Sequence, residues 1–400
     1  MGLGTLFLRF LRFGALAWGG PTAQIAMLRR ELVEEERWVE PERFNRVLAV
    51  YQALPGPEAF ELCCYFGMLR RGRAGAIVAG LGFLLPGLVL MLTASWLYVR
   101  YGLESGHAKA AMASAAVAVA ALVANATMRL WKHTVTSAWL VGCAAAAAIS
   151  VEFSAPFWLA LLGCAVAGVL RSFSARATWA VLVGVGVLCF LWPMVSRELL
   201  HSVPTHPNTG PAIITPAVRG SSYFDAPLVD QAITGLKAGL LTFGGAYTAI
   251  PVVDADTRGW LVDGEVGHAL AVGAVLPAPL VMFCTMVGYL CGGWGGAFVM
   301  TAGVFLPAFS FTLIGHRFIE KLVDSPRWHN ALDAVAAGVI GMLAIFAFRS
   351  VQGAVDTREA MALFVLAWLV IHVSKRAWTV PAVVLGSVAL GIWGHSLQQG

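Results

Sequence analysis

The residues with the clearest potential for chemistry are glycines and prolines that interrupt long apolar stretches at two matching sets of positions. The first set comprises Gly19-Gly20, Leu54-Pro55-Gly56-Pro57 and Pro86-Gly87, and the second comprises Gly244-Gly245, Leu276-Pro277-Ala278-Pro279 and Pro307-Ala308. Equivalent positions are 221 to 225 residues apart. A break in a helix frees backbone N–H groups where the next segment begins, and the helix dipole places partial positive charge there. Paired interruptions in two halves of a chain therefore indicate a transporter binding site at a repeat interface.

Two glutamates follow the first pair of prolines only. Glu58 and Glu61 come after Pro57, whereas Leu280 and further apolar residues follow the second pair. Their structural interpretation is that acidic residues in a first helical turn are favoured by the helix dipole. Their functional interpretation is proton coupling, because a carboxyl group in a low-dielectric cavity can take up and release a proton near neutral pH. Glu61 is the stronger candidate because it lies deeper in the apolar run.

Few cations lie within the apolar stretches. Lys237 and Arg12 each precede a Gly-Gly pair by seven residues, which is two helical turns and places cation and glycine on one face. They are expected to raise the positive potential beside the breaks, and the alternative is that they reach out to the membrane interface. Arg129 is a further candidate for electrostatic support, with a helix-end charge as its alternative. Asp254 and Asp256 are expected in a solvated loop.

The composition predicts a polytopic helical membrane protein. Of 400 residues, 58% are apolar and 12% are charged, and the mean hydropathy is +0.75, whereas soluble proteins carry about 25% charged residues. Continuous apolar runs, rather than alternation, exclude a β-barrel. The net charge of +5 comes mainly from arginine. It indicates no nucleic-acid binding, because no basic stretch is interleaved with exposed aromatic residues.

Enzymatic chemistry has no motif in this sequence. There is no phosphate-binding loop, nucleophile elbow or zinc signature. All seven cysteines lie in apolar sequence without a Cys-x-x-Cys pair, which favours a packing role. We therefore expect a protein that is not an enzyme, that holds no cofactor and no metal, and that takes its energy from ion gradients or the membrane potential.

The apolar runs predict an all-α bundle with about thirteen membrane spans. Seven lie near residues 4–28, 46–69, 74–99, 108–130, 136–150, 154–170 and 177–196, and six lie near 229–253, 266–291, 295–316, 328–349, 360–374 and 378–394. The polar, proline-rich stretch at 197–228 is predicted to link an N-terminal half (1–196) to a C-terminal half (229–400). Seven spans before the second half would place the two homologous repeats, with their interrupted helices, in opposite orientations.

The charges of the loops predict the orientation. The loop at 70–73 carries three arginines, and its equivalent at 291–295 carries no charge. Because Lys and Arg favour the cytoplasmic side, we expect a cytoplasmic N-terminus and a periplasmic C-terminus. Counting spans in order then places the loop at 29–46 opposite the N-terminus, as a helix at the interface, and the loop at 254–265 on the side of the N-terminus.

In combination, these motifs resemble those of a known family. Trp18-Gly19-Gly20-Pro21, Leu54-Pro55-Gly56-Pro57 and Phe83-Leu84-Leu85-Pro86-Gly87, with their second-half counterparts, are similar to the repeated motifs of the chromate ion transporter (CHR) family. The resemblance covers about residues 8–100 and 230–350. It implies an inner-membrane exporter of chromate built from two fused, inverted halves, with sulfate as competitor. Ala278 stands where glycine is usual, which leaves open whether the second half binds anion or mainly supports the first.

Chromate and sulfate are tetrahedral dianions, which need hydrogen-bond donors and positive potential within a membrane. With such a substrate, the candidate binding residues are Gly19, Gly20, Thr22, Gln24, Gln52, Gly56, Lys237, Gly244, Gly245, Tyr247 and Thr248. Glu58 or Glu61 would couple a proton, and Arg12 and Arg129 would give electrostatic support. The alternative role of the glycines is close helix packing, which is common in membranes.

The sequence thus predicts a secondary active transporter that exports chromate across the bacterial inner membrane, coupled to protons or to the membrane potential. The alternatives are an anion channel and a transporter for sulfate or another oxyanion. A chromate-reducing enzyme would need a redox centre or paired thiols, and a membrane scaffold would leave the costly paired breaks unexplained. The expected partners are the anion and the lipid bilayer, without nucleic acid. A homodimer is compatible with the pattern.

Overall fold

The architecture is helical in every part of the chain that the structure describes. The structure is a computed structural model, and it describes residues 1–18, 20–101, 105–153, 155–200, 226–242, 245–262, 264–323, 326–374, 376 and 378–399. These ranges contain no strand, so the all-α prediction is confirmed for them. Most of the predicted linker, residues 201–225, lies outside the described residues.

Within each half of the chain the helices follow each other with short connections. In chain order the α-helices are α1 (Leu3–Ala15), α2 (Gly20–Leu28), α3 (Pro41–Ala53), α4 (Glu58–Tyr101), α5 (Gly106–Thr134), α6 (Ala138–Glu152), α7 (Phe157–Arg171), α8 (Ala175–Leu200), α9 (Leu228–Leu240), α10 (Ile250–Thr257), α11 (Glu265–Val275), α12 (Phe283–Val323), α13 (Pro326–Ala354), α14 (Arg358–Val373) and α15 (Thr379–Gln399). A π-helix follows α2 at Arg29–Glu35, and 3₁₀-helices precede α10 and α12 at Ala246–Ala249 and Leu280–Met282.

Six helices within the described ranges are long and apolar enough to cross a membrane. They lie at Glu58–Tyr101, Gly106–Thr134, Ala175–Met194, Leu280–Ile314, His329–Ala354 and Thr379–Leu397. Shorter apolar helices lie at Ala138–Glu152, Phe157–Arg171 and Glu265–Val275. A helical membrane protein is thus confirmed, and the number of thirteen spans stays a prediction.

Two of the long helices reverse direction at a pair of residues with matching backbone angles. In α4 these are Arg71 (φ −145°, ψ 27°) and Gly72 (φ 58°, ψ −149°). In α12 they are Gly292 (φ −149°, ψ 23°) and Gly293 (φ 61°, ψ −147°). The positive φ at the second residue is one that glycine adopts without strain. The same turn therefore occurs 221 residues apart in the two halves.

The chain folds back completely at each of these turns. Gly67 packs against Gly75, and Gly288 packs against Gly296, although a straight helix would hold such residues about 12 Å apart. Each long helix is therefore two antiparallel segments. We call residues 58–70 and 73–101 the first and second arms of α4, and residues 283–291 and 294–323 the first and second arms of α12.

The chain also folds back between α1 and α2, which form hairpin 1 together with the π-helix. Arg12 forms a salt bridge with Glu31 at 3.0 Å, and Arg9 forms one with Glu36. These partners are 19 and 27 residues apart in sequence, so the two segments run antiparallel. The hydrogen bond from Arg9 holds the pKa of Glu36 below its usual range.

Hairpin 2 consists of α3 and the first arm of α4. The rings of Phe44 and Phe66 stack with their centroids 6.2 Å apart, and Tyr51 and Tyr65 lie 6.4 Å apart. The helix cannot continue through the intervening prolines, because proline lacks an N–H and its ring clashes with the preceding turn. Packing of aromatic residues on the facing sides of the two helices then selects the reversed arrangement.

Hairpins 3 and 4 repeat this arrangement in the C-terminal half. Hairpin 3 consists of α9 and α10, which are joined by a salt bridge between Lys237 and Asp256 at 2.9 Å. Hairpin 4 consists of α11 and the first arm of α12, where a Cβ on Gly273 would lie 3.6 Å from the Cβ of Phe283. Four of the six interruptions predicted from the sequence are thus hairpin tips, whereas Pro86 and Pro307 lie inside α4 and α12 and do not end these helices. The predicted spans at 4–28, 46–69, 229–253 and 266–291 are not straight crossings.

The hairpins also change the end of the molecule at which two loops lie. Trp38 lies beneath the guanidinium of Arg70, 4.1 Å from it, so the loop at 29–46 is at the end where the chain begins. Tyr98, near the end of α4, hydrogen-bonds to His268 at 2.7 Å, so the loop at 254–265 lies at the opposite end. The predicted placement of both loops was wrong, because it assumed that every apolar run crosses the bundle.

The second arms of α4 and α12 run antiparallel past each other through the centre. A Cβ on Gly80 would lie 2.8 Å from the ring of Phe309, and Leu92 packs in one cluster with Ala297. Later residues of α4 therefore contact earlier residues of α12, which shows that the two arms run in opposite directions. The main apolar core lies around these arms and contains residues of both halves.

The remaining helices interlock the two halves. The long helix of the C-terminal half, α13, packs on α6 and α7 of the N-terminal half, where Gly338 lies against Cys164. The long helix of the N-terminal half, α5, packs on α14 and α15, where Gly391 lies against Ser114. Small residues permit these close approaches. The division at the predicted linker is therefore one of sequence, and the packing crosses it.

Candidate functional site

The four hairpin tips meet near the middle of the bundle. We number them by hairpin: tip 1 (residues 16–18 and 20), tip 2 (54–57), tip 3 (241–242 and 245) and tip 4 (276–279). The backbone N–H of Gly56 in tip 2 donates to the carbonyl of Thr242 in tip 3 at 2.8 Å. The side-chain amide of Gln24, beside tip 1, donates to the carbonyl of Ala278 in tip 4 at 3.5 Å. Each tip is thus hydrogen-bonded to a tip of the other half.

Gln24 also stabilises its own hairpin. Its Nε2 donates to the carbonyl of Ala17 at 3.0 Å, across the tip from α2 to the end of α1. The side chain is buried, so both carbonyl contacts are shielded from water. The predicted donor therefore lies at the tips, where its amide is already engaged by protein carbonyls.

Four helical segments begin at the tips and direct their N–H groups there. They start at Gly20, Glu58, Ala246 and Leu280. The first N–H groups of a helix have no partner within the helix, and the dipole adds partial positive charge. The same tips receive the C-terminal ends of α1, α3, α9 and α11. The N-terminal ends thus supply backbone donors of the kind that bind anions at helix N-termini, whereas the C-terminal ends bring partial negative charge to the same place.

Gly20 and Gly245 leave space at the tips. They have φ values of 77° and 126°, and a Cβ at either would meet nothing within 4 Å. A cavity of about 40 Å³ lies between the halves, lined by Gly20, Tyr247, Ala278 and Leu122 among others. Two predicted binding residues from different halves thus share one cavity. Gly19 and Gly244, their predicted neighbours, lie outside the described residues.

Glu61 is the most deeply buried carboxyl group of tip 2. It is fully buried, and within the described structure neither carboxylate oxygen has a hydrogen-bond partner. A Cβ on Gly56 would lie 2.7 Å from its Oε1, so the carboxyl group lies directly beneath the tip. The amide that joins tip 2 to tip 3 belongs to the same Gly56.

Glu58 has a different environment, although it is one turn away. It is 6% exposed, and the side chain of Gln52 lies near enough to interact with its carboxyl group. The predicted donor Gln52 thus contacts the predicted carboxylate. On the facing side, the hydroxyl groups of Tyr51 and Thr312 lie 3.4 Å apart, and they join hairpin 2 to the second arm of α12.

Lys237 is engaged in hairpin 3, and within the described structure its ammonium group has no hydrogen-bond or ion-pair partner at the tips. Its ammonium group lies 2.9 Å from Asp256 and 5.3 Å from the ring centroid of Phe157. The hydroxyl group of Thr234 also donates to Asp256 at 3.1 Å. Asp256, expected in a solvated loop, is the partner that sequence reasoning missed. Thr248 uses its hydroxyl group to cap its own turn at the carbonyl of Gly245, at 3.0 Å.

The other predicted residues, Arg12, Arg129 and Thr22, do not line the tip cavity. The side chain of Arg12 is 60% exposed and pairs with Glu31. Arg129 donates to the carbonyl of Ile371 at 2.8 Å, in the last turn of α14. A cation at a helix C-terminus is stabilising there. Thr22 is exposed on α2. Their predicted roles stay predictions, and the contacts that the structure shows for the two arginines are structural.

The sequence of both halves matches one family model. Residues 4–169 and 229–392 match the chromate transporter family. The chain belongs to the chromate transporter family. The two matched segments contain hairpins 1 and 2 and hairpins 3 and 4 respectively, and the unmatched stretch between them contains the predicted linker.

Relatives of known name agree with this assignment. The chain is 44% identical over 344 residues to the chromate transport protein of Pseudomonas aeruginosa, covering 84% of this chain and 78% of the relative. It is 28% identical over 404 residues to the chromate transport protein of Cupriavidus metallidurans, covering 98% and 93%. An uncharacterized transporter of Methanocaldococcus jannaschii is 25% identical, with 96% and 93% covered. No solved structure matches the chain.

Proposed function

We propose that this protein is a secondary active transporter that exports chromate across the bacterial inner membrane and binds it at the four tips. Two relatives that match most of its length are named chromate transport proteins. The observation that carries the proposal is the pair of hydrogen bonds, Gly56 to Thr242 and Gln24 to Ala278, which join tips of opposite halves. Helix N-termini that converge at such a junction provide donors for a tetrahedral dianion.

The halves are proposed to be inverted repeats that rock against each other. The matching turns at Gly72 and Gly293, and the antiparallel second arms, support this relationship. In transporters of this kind, a site between repeats is exposed alternately to the two sides. The cross-half hydrogen bonds at the tips would then break and form again as access changes, and the cavity of about 40 Å³ corresponds to a closed junction.

Glu61 is proposed to carry the coupling proton. Its carboxyl group is fully buried without a hydrogen-bond partner in the described structure, and a bare anion in such a place is costly. Because it lies beneath Gly56, a change in its charge acts directly on the amide that binds Thr242. Glu58, with Gln52 as its partner, is the second candidate for this role.

The orientation is proposed to be cytoplasmic at the N-terminus and periplasmic at the C-terminus. The corrected position of the loop at 29–46 brings Arg29, Arg30 and further basic residues to the same end as Arg70 and Arg71. This strengthens the excess of positive charge expected on the cytoplasmic side. A negative interior then favours expulsion of a dianion by about 4.6 kcal/mol per 100 mV, from about 2.3 per charge.

Chromate uptake into inverted membrane vesicles tests the proposal. We expect saturable uptake that sulfate inhibits and that depends on an imposed pH gradient or potential. Gly20→Ala and Gly245→Ala should raise the KM for chromate, because each places a methyl group in the open space at a tip. Gly72→Ala is the matched control, since it has the same positive φ and open surroundings but lies at the remote turn.

Three results would contradict parts of the proposal. Uptake that rises linearly with concentration would favour an anion channel. Saturable sulfate uptake without chromate uptake would favour a transporter for sulfate or another oxyanion. An equal effect of Gly72→Ala on KM would remove the binding site from the tips. A homodimer is tested separately, by the mass of the purified protein in lipid nanodiscs.

A further inference from the structure

A second, larger cavity lies at the end of the molecule where α4 ends. Its volume is about 520 Å³. Its lining comes from α5, from the end of α10, the start of α11 and the connection between them, and from the last turns of α13. The polar side chains in this lining are Asp254, Thr257, Arg258, Arg349 and Ser350. We call this cavity the vestibule. It shares no lining residue with the small cavity at the tips.

Two guanidinium groups give the vestibule its chemistry. Arg258 is held by Asp254 at 3.0 Å, and Arg349 is held by Glu152 at 3.0 Å. A guanidinium has five N–H donors in a fixed fork, so a single carboxylate leaves donors for a ligand. Each guanidinium is thus held by one carboxylate, Asp254 within the lining and Glu152 outside it, and a ligand would use the donors that the carboxylates leave free. Tetrahedral oxyanions are ligands that the guanidinium group recognises well.

The vestibule and the tip cavity lie along the same two helices. On α5, Val119 lines the vestibule and Leu122, one turn further, lines the tip cavity. On α11, Gly267 lines the vestibule and Gly273 lines the tip cavity. Six helical residues span about 9 Å. Along these two helices, the lining of the vestibule thus comes within about 9 Å of the lining of the tip cavity.

We infer that the vestibule is a second binding site for a tetrahedral oxyanion, on the path between the four tips and the end of the molecule opposite the N-terminus. The inference rests on the proposed function for the identity of the anion as chromate or sulfate and for the tips as the neighbouring site. In an exporter with the proposed orientation, this site receives the anion that the tips release. The carboxylates of Asp254 and Glu152 compete with the anion for the guanidinium groups, so that binding is readily reversed.

Equilibrium binding of radiolabelled sulfate to the purified full-length protein tests this inference. The protein is reconstituted in nanodiscs of phosphatidylcholine only. We expect two sulfate ions per chain. Arg258→Gln and Arg349→Gln should each weaken the vestibule site about ten- to a hundredfold, the effect of losing one charge-assisted hydrogen-bonding group. Arg176→Gln, which removes an exposed arginine elsewhere, is the control and should leave both sites unchanged.

The pairing of Arg349 with Glu152 provides a sharper variant. Glu152→Gln releases the guanidinium from its competitor and should tighten sulfate binding at the vestibule. The double variant Glu152→Gln with Arg349→Gln keeps the charge balance and should lose the site, which separates loss of a ligand group from loss of folding. Sulfate binding that is unchanged in both Arg349→Gln and the double variant would overturn the inference, whether one or two ions bind to the wild type.

The phosphate of a phospholipid offers the same chemistry as a free oxyanion. A second set of nanodiscs distinguishes the two ligands. In nanodiscs that contain phosphatidylglycerol, sulfate should still bind at both sites. Phosphatidylglycerol that displaces one sulfate, and that is retained by the wild type but not by the double variant, would overturn the assignment to a free anion. If two sites are found but Gly20→Ala and Gly245→Ala affect neither, the proposed site at the tips fails while the vestibule stands.

Discussion

Tips 2 and 4 occupy equivalent places in the two halves, and both carry two prolines. Only tip 2 has a buried carboxyl group beside it. In tip 2, Gly56 lies over the buried carboxyl group of Glu61. In tip 4, the equivalent positions hold Ala278 and Phe283, and both are buried in the apolar core. The two tips have the same backbone task of joining hairpins of opposite halves. The difference teaches that only the N-terminal half adds an ionisable group to that task.

The positions of alanine and glycine at tips 2 and 4, and on the arms that face them, show how closely Glu61 constrains tip 2. A Cβ on Gly87 would lie only 2.8 Å from the Cβ of Ala278. Glycine is therefore needed at this position on the second arm of α4. In the equivalent pair of positions, Gly56 is the glycine and Ala308 the alanine, which is fully buried. Both alanines therefore belong to the C-terminal half, and the half that contains Glu61 has glycine at the tip and on the arm.

The largest effect is expected from Glu61→Gln, which removes the acid and keeps its shape. Chromate uptake into inverted vesicles should lose its whole response to an imposed pH gradient, because no other carboxyl group at the tips is fully buried in the described structure. The control is Glu265→Gln, since Glu265 is also buried in a first helical turn and its carboxylate accepts from the N–H of Val262 at 2.9 Å. A wild-type gradient response in Glu61→Gln would assign the coupling elsewhere.

Gly56→Ala should have the next largest effect. The added methyl group would meet the Glu61 carboxyl group at 2.7 Å, and the φ of 154° disfavours a side chain. Strain of this kind costs about 1–3 kcal/mol, which should lower the rate of uptake about tenfold or more. The reverse change at the equivalent position, Ala278→Gly, should leave the rate within about twofold. Equal effects of the two changes would mean that tips 2 and 4 do not differ in the way described.

Gln24→Leu tests the hydrogen bond at tip 4 and should have a moderate effect. Its buried amide serves the carbonyls of Ala17 and Ala278, and leaving buried carbonyls without a donor costs about 1–3 kcal/mol. The melting temperature of the purified protein should therefore fall. Thr22→Val, at an exposed position on the same helix, should change the stability by less than about 0.5 kcal/mol. An unchanged melting temperature in Gln24→Leu would show that this contact does not hold the tips together.

The smallest effect is expected at hairpin 3. Lys237→Ala removes the partner of Asp256, but the lysine side chain is 37% exposed, so the pair is screened and contributes about 1 kcal/mol or less. The double variant Lys237→Ala with Asp256→Asn should then transport chromate with the KM of the wild type. A raised KM in the double variant would instead make Lys237 a substrate-binding residue, as its spacing from Gly244 predicts.

The sequence predicts the positions of the tips well, because glycine and proline act locally. Proline removes a donor wherever it stands, so the breaks at Pro55 and Pro277 follow from the residues themselves. The direction in which the chain leaves a break is decided by distant contacts, such as Phe44 with Phe66. No local pattern contains that information, and the breaks were therefore predicted within straight spans.

The chemistry at the tips could be predicted only in part for the same reason. Burial of Glu61 follows from its apolar neighbours, and the structure agrees. The partners of Lys237 and Arg129 are Asp256 and the carbonyl of Ile371, which lie 19 and 242 residues away in sequence. A backbone carbonyl has no sequence signal, so neither the contact of Arg129 nor the cross-half contacts of the tips could be recognised.

The interlocking of α5 and α13 has a consequence for biosynthesis. When the N-terminal half has been inserted, α6 and α7 still lack their partner, because α13 (Pro326–Ala354) has yet to be translated. Small residues on these helices, such as Ala144 and Cys164, then face lipid or a chaperone instead of protein. A chain that stops after residue 196 is accordingly expected to be degraded in a pulse-chase experiment unless residues 229–400 are co-expressed. Fusion of the halves in one polypeptide ensures that each is made beside the partner that completes it.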